Sequence, residues 1–217
     1  MATASNLLTF RNESAPLSLV DKYRPQRIQD FAGIAKVKET MSRFCERPFR
    51  SAWTFKGDSG TGKTSLANLI AELIDAQVTH VPSQECNVDR LRQIVAMCHY
   101  RPMSGQRFSL VLIDEADSMS KAARDFLLST LDNLPPDTVF IFTCNSIDSF
   151  EPRFLSRTRV MDFSNYGLQR DAAELLGRIW AVEAPGKTAP NLSRMVKDCK
   201  GNVRASLMAL ELELMLA

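Results

Sequence analysis

Apolar residues recur along the chain in two alternating patterns, short continuous runs and longer segments with helical spacing. Short runs bounded by turn residues predict buried strands, and apolar positions at intervals of three and four predict amphipathic helices. The predicted strands cover residues 52–56, 77–81, 108–113, 138–144 and 159–163. Strands that alternate with helices are typical of a mostly parallel sheet with crossover helices. We therefore predict an α/β domain built on five parallel strands.

After residue 163 the strand signals cease, and only helical spacing continues. Three helices are predicted over residues 168–182, 192–199 and 203–216. We place a domain boundary near Asn165, which divides the chain into an α/β nucleotide-binding domain, residues 1–165, and a small helical domain, residues 166–217. The last helix carries apolar residues at nearly every angle around its axis, a pattern typical of a helix buried on more than one side. This helix is expected to dock against something beyond its own bundle.

Composition narrows the class of protein without naming a partner. Apolar residues make up 45% of the chain and charged residues 24%, which are ordinary values for a globular protein. The formal charge of +2 neither requires nor excludes nucleic acid. The five cysteines form no Cys-x-x-Cys pair, and no apolar run approaches the ~20 residues of a membrane span. We expect a soluble, unsecreted protein with reduced thiols and no membrane partner.

The stretch GDSGTGKT, residues 57–64, fits the pattern G-x-x-x-x-G-K-[ST] at every fixed position. A predicted strand precedes it and a predicted helix follows it, as this phosphate-binding motif requires. Its backbone N–H groups and the helix N-terminus face the phosphates, and Lys63 adds a charge for the β- and γ-phosphates. The Thr64 hydroxyl is then a ligand for Mg²⁺. The alternative is a flexible turn that happens to contain Gly-Lys-Thr.

Polar side chains also follow the third and fourth predicted strands. In LVLIDEAD, Asp114 and Glu115 emerge at the carboxyl end of a buried strand, where ligands bind in open α/β sheets. Asp114 is expected to hold Mg²⁺ through water, and Glu115 to polarise the attacking water. Asn145 ends the fourth strand and would orient that water or touch the γ-phosphate if the two strands are neighbours. Otherwise the acidic pair is a solvated turn, and Asn145 merely ends a strand.

Together these motifs resemble those of AAA+ ATPases, and more narrowly the ATPase subunits of sliding-clamp loaders: the replication factor C small subunits and their phage counterparts. The resemblance runs from DKYRP at residue 21 to GNVRASL at residue 207. It implies a P-loop AAA+ domain with a three-helix lid, and ATP and Mg²⁺ as cofactors. It also implies a role for Arg157, in the Ser-Arg pair at 156–157, which would reach the γ-phosphate of a neighbouring subunit in trans.

Motif and resemblance together give a set of nucleotide-binding residues in the N-terminal signature, the phosphate loop and the lid. The signature would lie near the adenine, and the lid arginine would reach the γ-phosphate. The set is Tyr23, Arg24, Pro25, Gly57, Asp58, Ser59, Gly60, Thr61, Gly62, Lys63, Thr64, Ser65 and Arg204.

The function that the resemblance implies is ATP hydrolysis coupled to the loading of a sliding clamp onto primer-template DNA. The implied partners are other loader subunits in an oligomer, typically a pentamer, together with the clamp and the DNA. The implied location is the cytoplasm or the sites of replication in a nucleoid or nucleus. DNA contacts are expected among Arg90, Arg92, Lys121 and Arg124, for which the alternative is a solvated helix face.

The chain departs from the family pattern at several positions. Thr158 follows the Ser-Arg pair where the family has cysteine, and Pro82 stands near a usually polar position at the end of the second strand. No collar domain is expected within these 217 residues. Two other readings therefore stay open. One is a different AAA+ machine, such as a helicase loader or branch-migration motor, and the other is a scaffold that binds nucleotide with little turnover.

Overall fold

A computed structural model describes residues 17–163 and 167–216 of the chain. The elements that it contains are, in chain order, α1 Leu19–Lys22, α2 Ala35–Glu46, β1 Ser51–Lys56, α3 Lys63–Leu73, β2 Ala76–Pro82, α4 Val88–Met97, β3 Phe108–Asp114, α5 Lys121–Asp132, β4 Thr138–Cys144, α6 Pro152–Leu155, β5 Arg159–Asp162, α7 Leu168–Glu183, α8 Leu192–Asp198 and α9 Val203–Leu216. One-turn 3₁₀ helices occupy Ile28–Asp30, Ser83–Glu85 and Ala116–Ser118.

The five strands form one parallel sheet in the order β2-β3-β4-β1-β5. All seven residues of the central strand β4 are buried, because helices cover both faces of the sheet. The apolar cluster on one face includes side chains of α2 and α3, and the cluster on the other face includes those of α4, α5 and α6. The predicted α/β fold with five parallel strands is therefore confirmed.

The three C-terminal helices pack on one another around a separate apolar cluster. Leu176 and Ile179 of α7, Val196 of α8 and Leu210 of α9 are almost completely buried in it. Helix α1 joins this cluster through Leu19, whose backbone N–H donates to Glu211 Oε1 of α9 at 2.9 Å. The predicted boundary at Asn165 lies outside the described residues, and the division into two domains stays a prediction.

Some elements differ from the sequence-based expectation. Helices α1, α2 and α6 were not predicted, although Val37, Met41 and Phe44 of α2 follow helical spacing and are buried. Helix α9 buries one face of its apolar surface. Its exposed side chains in the described residues include Met208, Leu212, Met215 and Leu216. No helix in the described ranges 17–163 and 167–216 has the length and apolarity that a membrane crossing needs.

Candidate nucleotide site

The phosphate loop connects β1 to α3 and ends at Gly62, the residue before the first turn of α3. Gly62 has a φ of 93°, a left-handed conformation that glycine adopts without strain. A Cβ at this position would also lie 3.0 Å from the Phe31 ring. The loop therefore packs closely against Phe31, and residues 63–65 in the first turn of α3 line a cavity.

Lys63 is buried, with 8% of its surface exposed, and its ammonium group stays inside the loop. Its Nζ donates to the carbonyls of Gly57 at 2.5 Å and Asp58 at 2.9 Å, and it lies 3.5 Å from Asn145 Oδ1. Burial lowers the pKa of Lys63, while negative groups around it, including Asp114, act in the opposite direction. The result is a desolvated cation between the ends of β1 and β4, where its attraction for an anion is strong.

Two hydroxyl groups orient the carboxylate of Asp114 at the end of β3. Thr64 Oγ1 donates to Asp114 Oδ1 at 3.0 Å, and the Thr143 hydroxyl of β4 donates to the same oxygen. Thr143 Oγ1 in turn accepts the backbone N–H of Glu115 at 3.1 Å. A hydroxyl and a carboxylate in contact are the hard oxygen ligands that Mg²⁺ prefers, so the residues fit the ion. Sequence reasoning missed Thr143, whose only signal is a hydroxyl in the apolar run TVFIFTCN.

Glu115 and Asn145 border the same cavity from neighbouring strands. Glu115 is exposed and has a φ of 54°, a conformation uncommon for residues other than glycine. The backbone N–H of Asn145 donates to Asp117 Oδ2 at 3.2 Å, which joins the ends of β3 and β4. The adjacency of β3 and β4, on which the predicted role of Asn145 depended, is thus present.

Two adjoining cavities lie between the sheet and the C-terminal helices. Apolar side chains such as Phe31, Leu175 and Leu207 line the first, which suits a flat base. Both cavities are bordered by Gly60, Gly62, Ser65 and Arg204. Most of the predicted site residues line one cavity or the other. They are Tyr23, Arg24, Pro25, Ser59, Gly60, Thr61, Gly62, Lys63, Thr64, Ser65, Asp114, Glu115, Asn145 and Arg204.

The N-terminal signature is fixed to the C-terminal helices by Tyr23. Its hydroxyl donates to the Glu183 carboxylate at the end of α7, and Lys22 Nζ lies 2.8 Å from the same carboxylate. Burial and the neighbouring Glu183 raise the pKa of Tyr23 to about 12. Tyr23 therefore stays protonated near neutral pH and remains a donor to Glu183.

Arg157 is not among the residues that line either cavity, and it pairs within its own chain. Its Nε and Nη2 donate to the two carboxylate oxygens of Asp132 at 2.7 and 3.0 Å, and Nη1 donates to the carbonyl of Arg153 at 2.6 Å. This guanidinium holds the pKa of Asp132 below its usual range. Of the other two arginines in the segment, Arg153 pairs with carboxylates and Arg159 stacks over two aromatic rings.

The four candidate DNA-contact residues lie on α4 and α5, which pack side by side. Arg92 pairs with Asp89 and lies 5.7 Å from the Phe126 ring centre of α5. Arg124 is half-buried and donates to the carbonyl of Met119 at 2.6 Å. Arg90, Arg92 and Lys121 are exposed and therefore accessible to a phosphate backbone, although Arg92 is also held by Asp89.

Comparison with known proteins agrees with this sheet and this site. The family model for the ATPase family associated with various cellular activities (AAA) matches residues 53–166, more than half of the chain. The chain belongs to this AAA family.

Among individual proteins, the chain is similar to the replication factor C small subunit of Halobacterium salinarum, with 27% identity over 88% of this chain and 61% of that protein. It is also similar to replication factor C subunit 3 of Saccharomyces cerevisiae, with 26% identity over 94% of this chain and 62% of that protein. The predicted resemblance to replication factor C subunits is therefore confirmed. The chain spans about three fifths of the length of these relatives.

Among solved structures, the fold is similar to the RuvB Holliday junction branch migration motor of Thermotoga maritima, with a TM-score of 0.71. The match covers 87% of this chain and 64% of that chain at 18% identity. At this identity the likeness concerns the fold alone.

Proposed function

We propose that this chain is an ATP-dependent subunit of a sliding-clamp loader, which binds and hydrolyses ATP to load a clamp onto primer-template DNA. The observation that carries the proposal is the contact between Thr64 Oγ1 and Asp114 Oδ1 at 3.0 Å, next to the buried Lys63 ammonium. This arrangement supports a nucleotide–Mg²⁺ site. The replication factor C relatives support the clamp-loader role.

In the proposed reaction each side chain of the cavity has a separate task. Lys63 binds the β- and γ-phosphates, and Arg204 reaches the γ-phosphate from α9. Glu115 polarises the attacking water, and Asn145 orients it. Thr64 and Asp114 would hold Mg²⁺, Asp114 through water, and a bound Mg²⁺ would neutralise charge on the phosphate oxygens. The apolar cavity at Tyr23, Arg24 and Pro25 would take the adenine.

Arg157 is proposed to act in trans, on the nucleotide site of a neighbouring subunit. It lines neither nucleotide cavity of its own chain, and its proposed target is the nucleotide of a neighbouring subunit. An arginine supplied in trans stabilises transition-state charge on the transferred phosphoryl group. Arg157 must leave Asp132 to do so, which makes the intramolecular pair a competitor of the intersubunit contact. The proposal therefore requires an oligomer, for which a pentamer is the expected form.

The other partners follow from the same proposal. Primer-template DNA would contact the surface of α4 and α5, where phosphate contacts give affinity without sequence specificity. A sliding clamp is the second macromolecular partner, and sites of DNA replication are the proposed location.

Two other functions compete with the clamp-loader proposal. The first is a branch-migration motor or another AAA+ DNA machine, but the sequence relatives favour the clamp loader. The second is a nucleotide-binding scaffold with little turnover. Pro82 favours this alternative, because it stands near a usually polar position of the family. It is the register partner of Asp114 at the end of β2. The combination of Lys63, Thr64, Asp114 and Glu115 argues against it.

The partner proposal predicts that primer-template DNA and the cognate clamp together raise the ATP hydrolysis rate several-fold.

A double variant Arg90→Ala/Lys121→Ala should weaken DNA binding about tenfold at moderate salt, with a shallower salt dependence, because two phosphate contacts are removed. The measurements are steady-state hydrolysis and DNA affinity across a salt series.

The matched control is Lys36→Ala/Arg43→Ala on α2, which removes one lysine and one arginine from the other face of the sheet. Its DNA affinity should equal that of the unaltered protein. A hydrolysis rate indifferent to both DNA and clamp would favour the competing machines.

A further inference from the structure

The N-terminal end of α9 rests directly on the phosphate loop. A Cβ at Gly60 would lie 1.9 Å from Asn202 Oδ1, 2.4 Å from Cγ and 2.7 Å from Nδ2. No two such atoms approach so closely, so the Asn202 carboxamide occupies the space that any side chain at position 60 would need. Gly60 also has a φ of 76°, which favours glycine independently. The contact joins two segments that are far apart in the sequence.

Asn202 also determines where α9 begins. Its Oδ1 accepts the backbone N–H of Ala205 at 3.0 Å, which is the usual contact of a helix N-cap. Its carbonyl accepts both the backbone N–H and the hydroxyl of Ser206, each at 2.9 Å. Ser206 is completely buried. One side chain therefore both starts α9 and sets its position against the loop.

Arg204 lies two residues beyond Asn202, in the first turn of α9, and borders both cavities together with Gly60. The direction of its side chain depends on how that first turn sits on the phosphate loop. We propose that Asn202 is a positioning residue: it holds the first turn of α9 on Gly60 so that Arg204 faces the bound phosphates. This inference rests on the proposed function, because it concerns the same nucleotide site.

The substitution Asn202→Ser distinguishes the positioning role of Asn202 from its role as a helix cap. A serine at 202 keeps an oxygen that can accept the Ala205 N–H, and serine caps helices about as well as asparagine. Serine carries a hydroxyl in place of the carboxamide, so the Oδ1 and Nδ2 atoms that pack against Gly60 are removed. If Asn202 were only a cap, Asn202→Ser would leave nucleotide binding unchanged.

Asn191 offers a matched control, since it is the N-cap of α8 and accepts the Arg194 N–H at 2.9 Å. It does not line either nucleotide cavity. Asn191→Ser therefore makes the same chemical change at the same kind of position, away from the phosphates. Thermal unfolding of both variants would show whether either substitution disturbs the fold.

The test is a double-mutant cycle on the affinity for a non-hydrolysable ATP analogue, with Asn202→Ser, Arg204→Ala and the combined variant. Each single change should weaken binding about tenfold, the scale of one hydrogen bond to a charged group. The combined variant should bind no more weakly than Arg204→Ala, because residues that act through one contact are not additive. Asn191→Ser should bind normally.

Additive losses in the combined variant, or normal binding by Asn202→Ser, would overturn the positioning role. A failure of the proposed function itself appears earlier, in the unaltered protein: absence of measurable binding there would overturn both proposals together.

Discussion

Replacing Lys63 with alanine is expected to abolish ATP binding, with an affinity loss of about a hundredfold or more. The ammonium is buried and points into the phosphate loop, so its contacts with the phosphates are poorly screened by water. Hydrogen bonds to charged groups contribute about 1.5–3 kcal/mol each, and two such bonds account for the expected loss. Isothermal titration with ATP and Mg²⁺ measures it directly.

The control for this substitution is Lys36→Ala, which removes an exposed lysine of α2 and should leave ATP affinity unchanged. Thermal unfolding of Lys63→Ala should still show a cooperative transition, because the substitution removes two hydrogen bonds to loop carbonyls but leaves the sheet intact. Normal ATP affinity in a folded Lys63→Ala protein would refute the assignment of the phosphate loop.

Replacing Glu115 with glutamine is expected to leave ATP binding intact while slowing hydrolysis about a hundredfold or more. Glutamine has the same shape as glutamate, but its amide cannot take a proton from the attacking water. The backbone N–H of residue 115 keeps its bond to Thr143, so the turn after β3 should be preserved. Single-turnover hydrolysis, measured with protein in excess over ATP, separates this effect from product release.

Glu72→Gln is the matched control, since Glu72 is exposed in the last turn of α3 and does not line the nucleotide cavities. It should hydrolyse ATP at the unaltered rate. If Glu115→Gln also keeps that rate, Glu115 has no catalytic role, and another group must activate the water.

The sheet and the phosphate loop could be predicted from the sequence because their signals are local. Each strand is a short apolar run, and GDSGTGKT is a continuous motif between a strand and a helix. Helix α2 is absent from the sequence-based prediction. Val37, Met41 and Phe44 have its helical spacing, but charged and polar residues separate these three apolar positions. The acidic pair and Asn145 could be placed together because parallel strands end at one edge of a sheet.

The contacts that refine the site could not be predicted because they join distant parts of the chain. The Thr143 hydroxyl meets Asp114 across 29 positions, and Arg157 meets Asp132 across 25. Packing also brings Leu19 to Glu211 across 192 positions, so α1 lies on the C-terminal helices. No periodicity or motif in one sequence contains these pairings, which arise only when the sheet and helices have assembled.

The intersubunit site is tested most directly by mixing Arg157→Ala protein with Lys63→Ala protein in a hydrolysis assay. Neither variant should hydrolyse ATP alone, but the mixture should recover activity, because Lys63→Ala subunits supply Arg157 to intact phosphate loops. In a randomly mixed ring about a quarter of the interfaces have this arrangement. Arg153→Ala, in the short helix α6 just before Arg157 and with Arg157 retained, should hydrolyse ATP normally. Full activity of Arg157→Ala alone, or a mixture that stays inactive, would contradict the account.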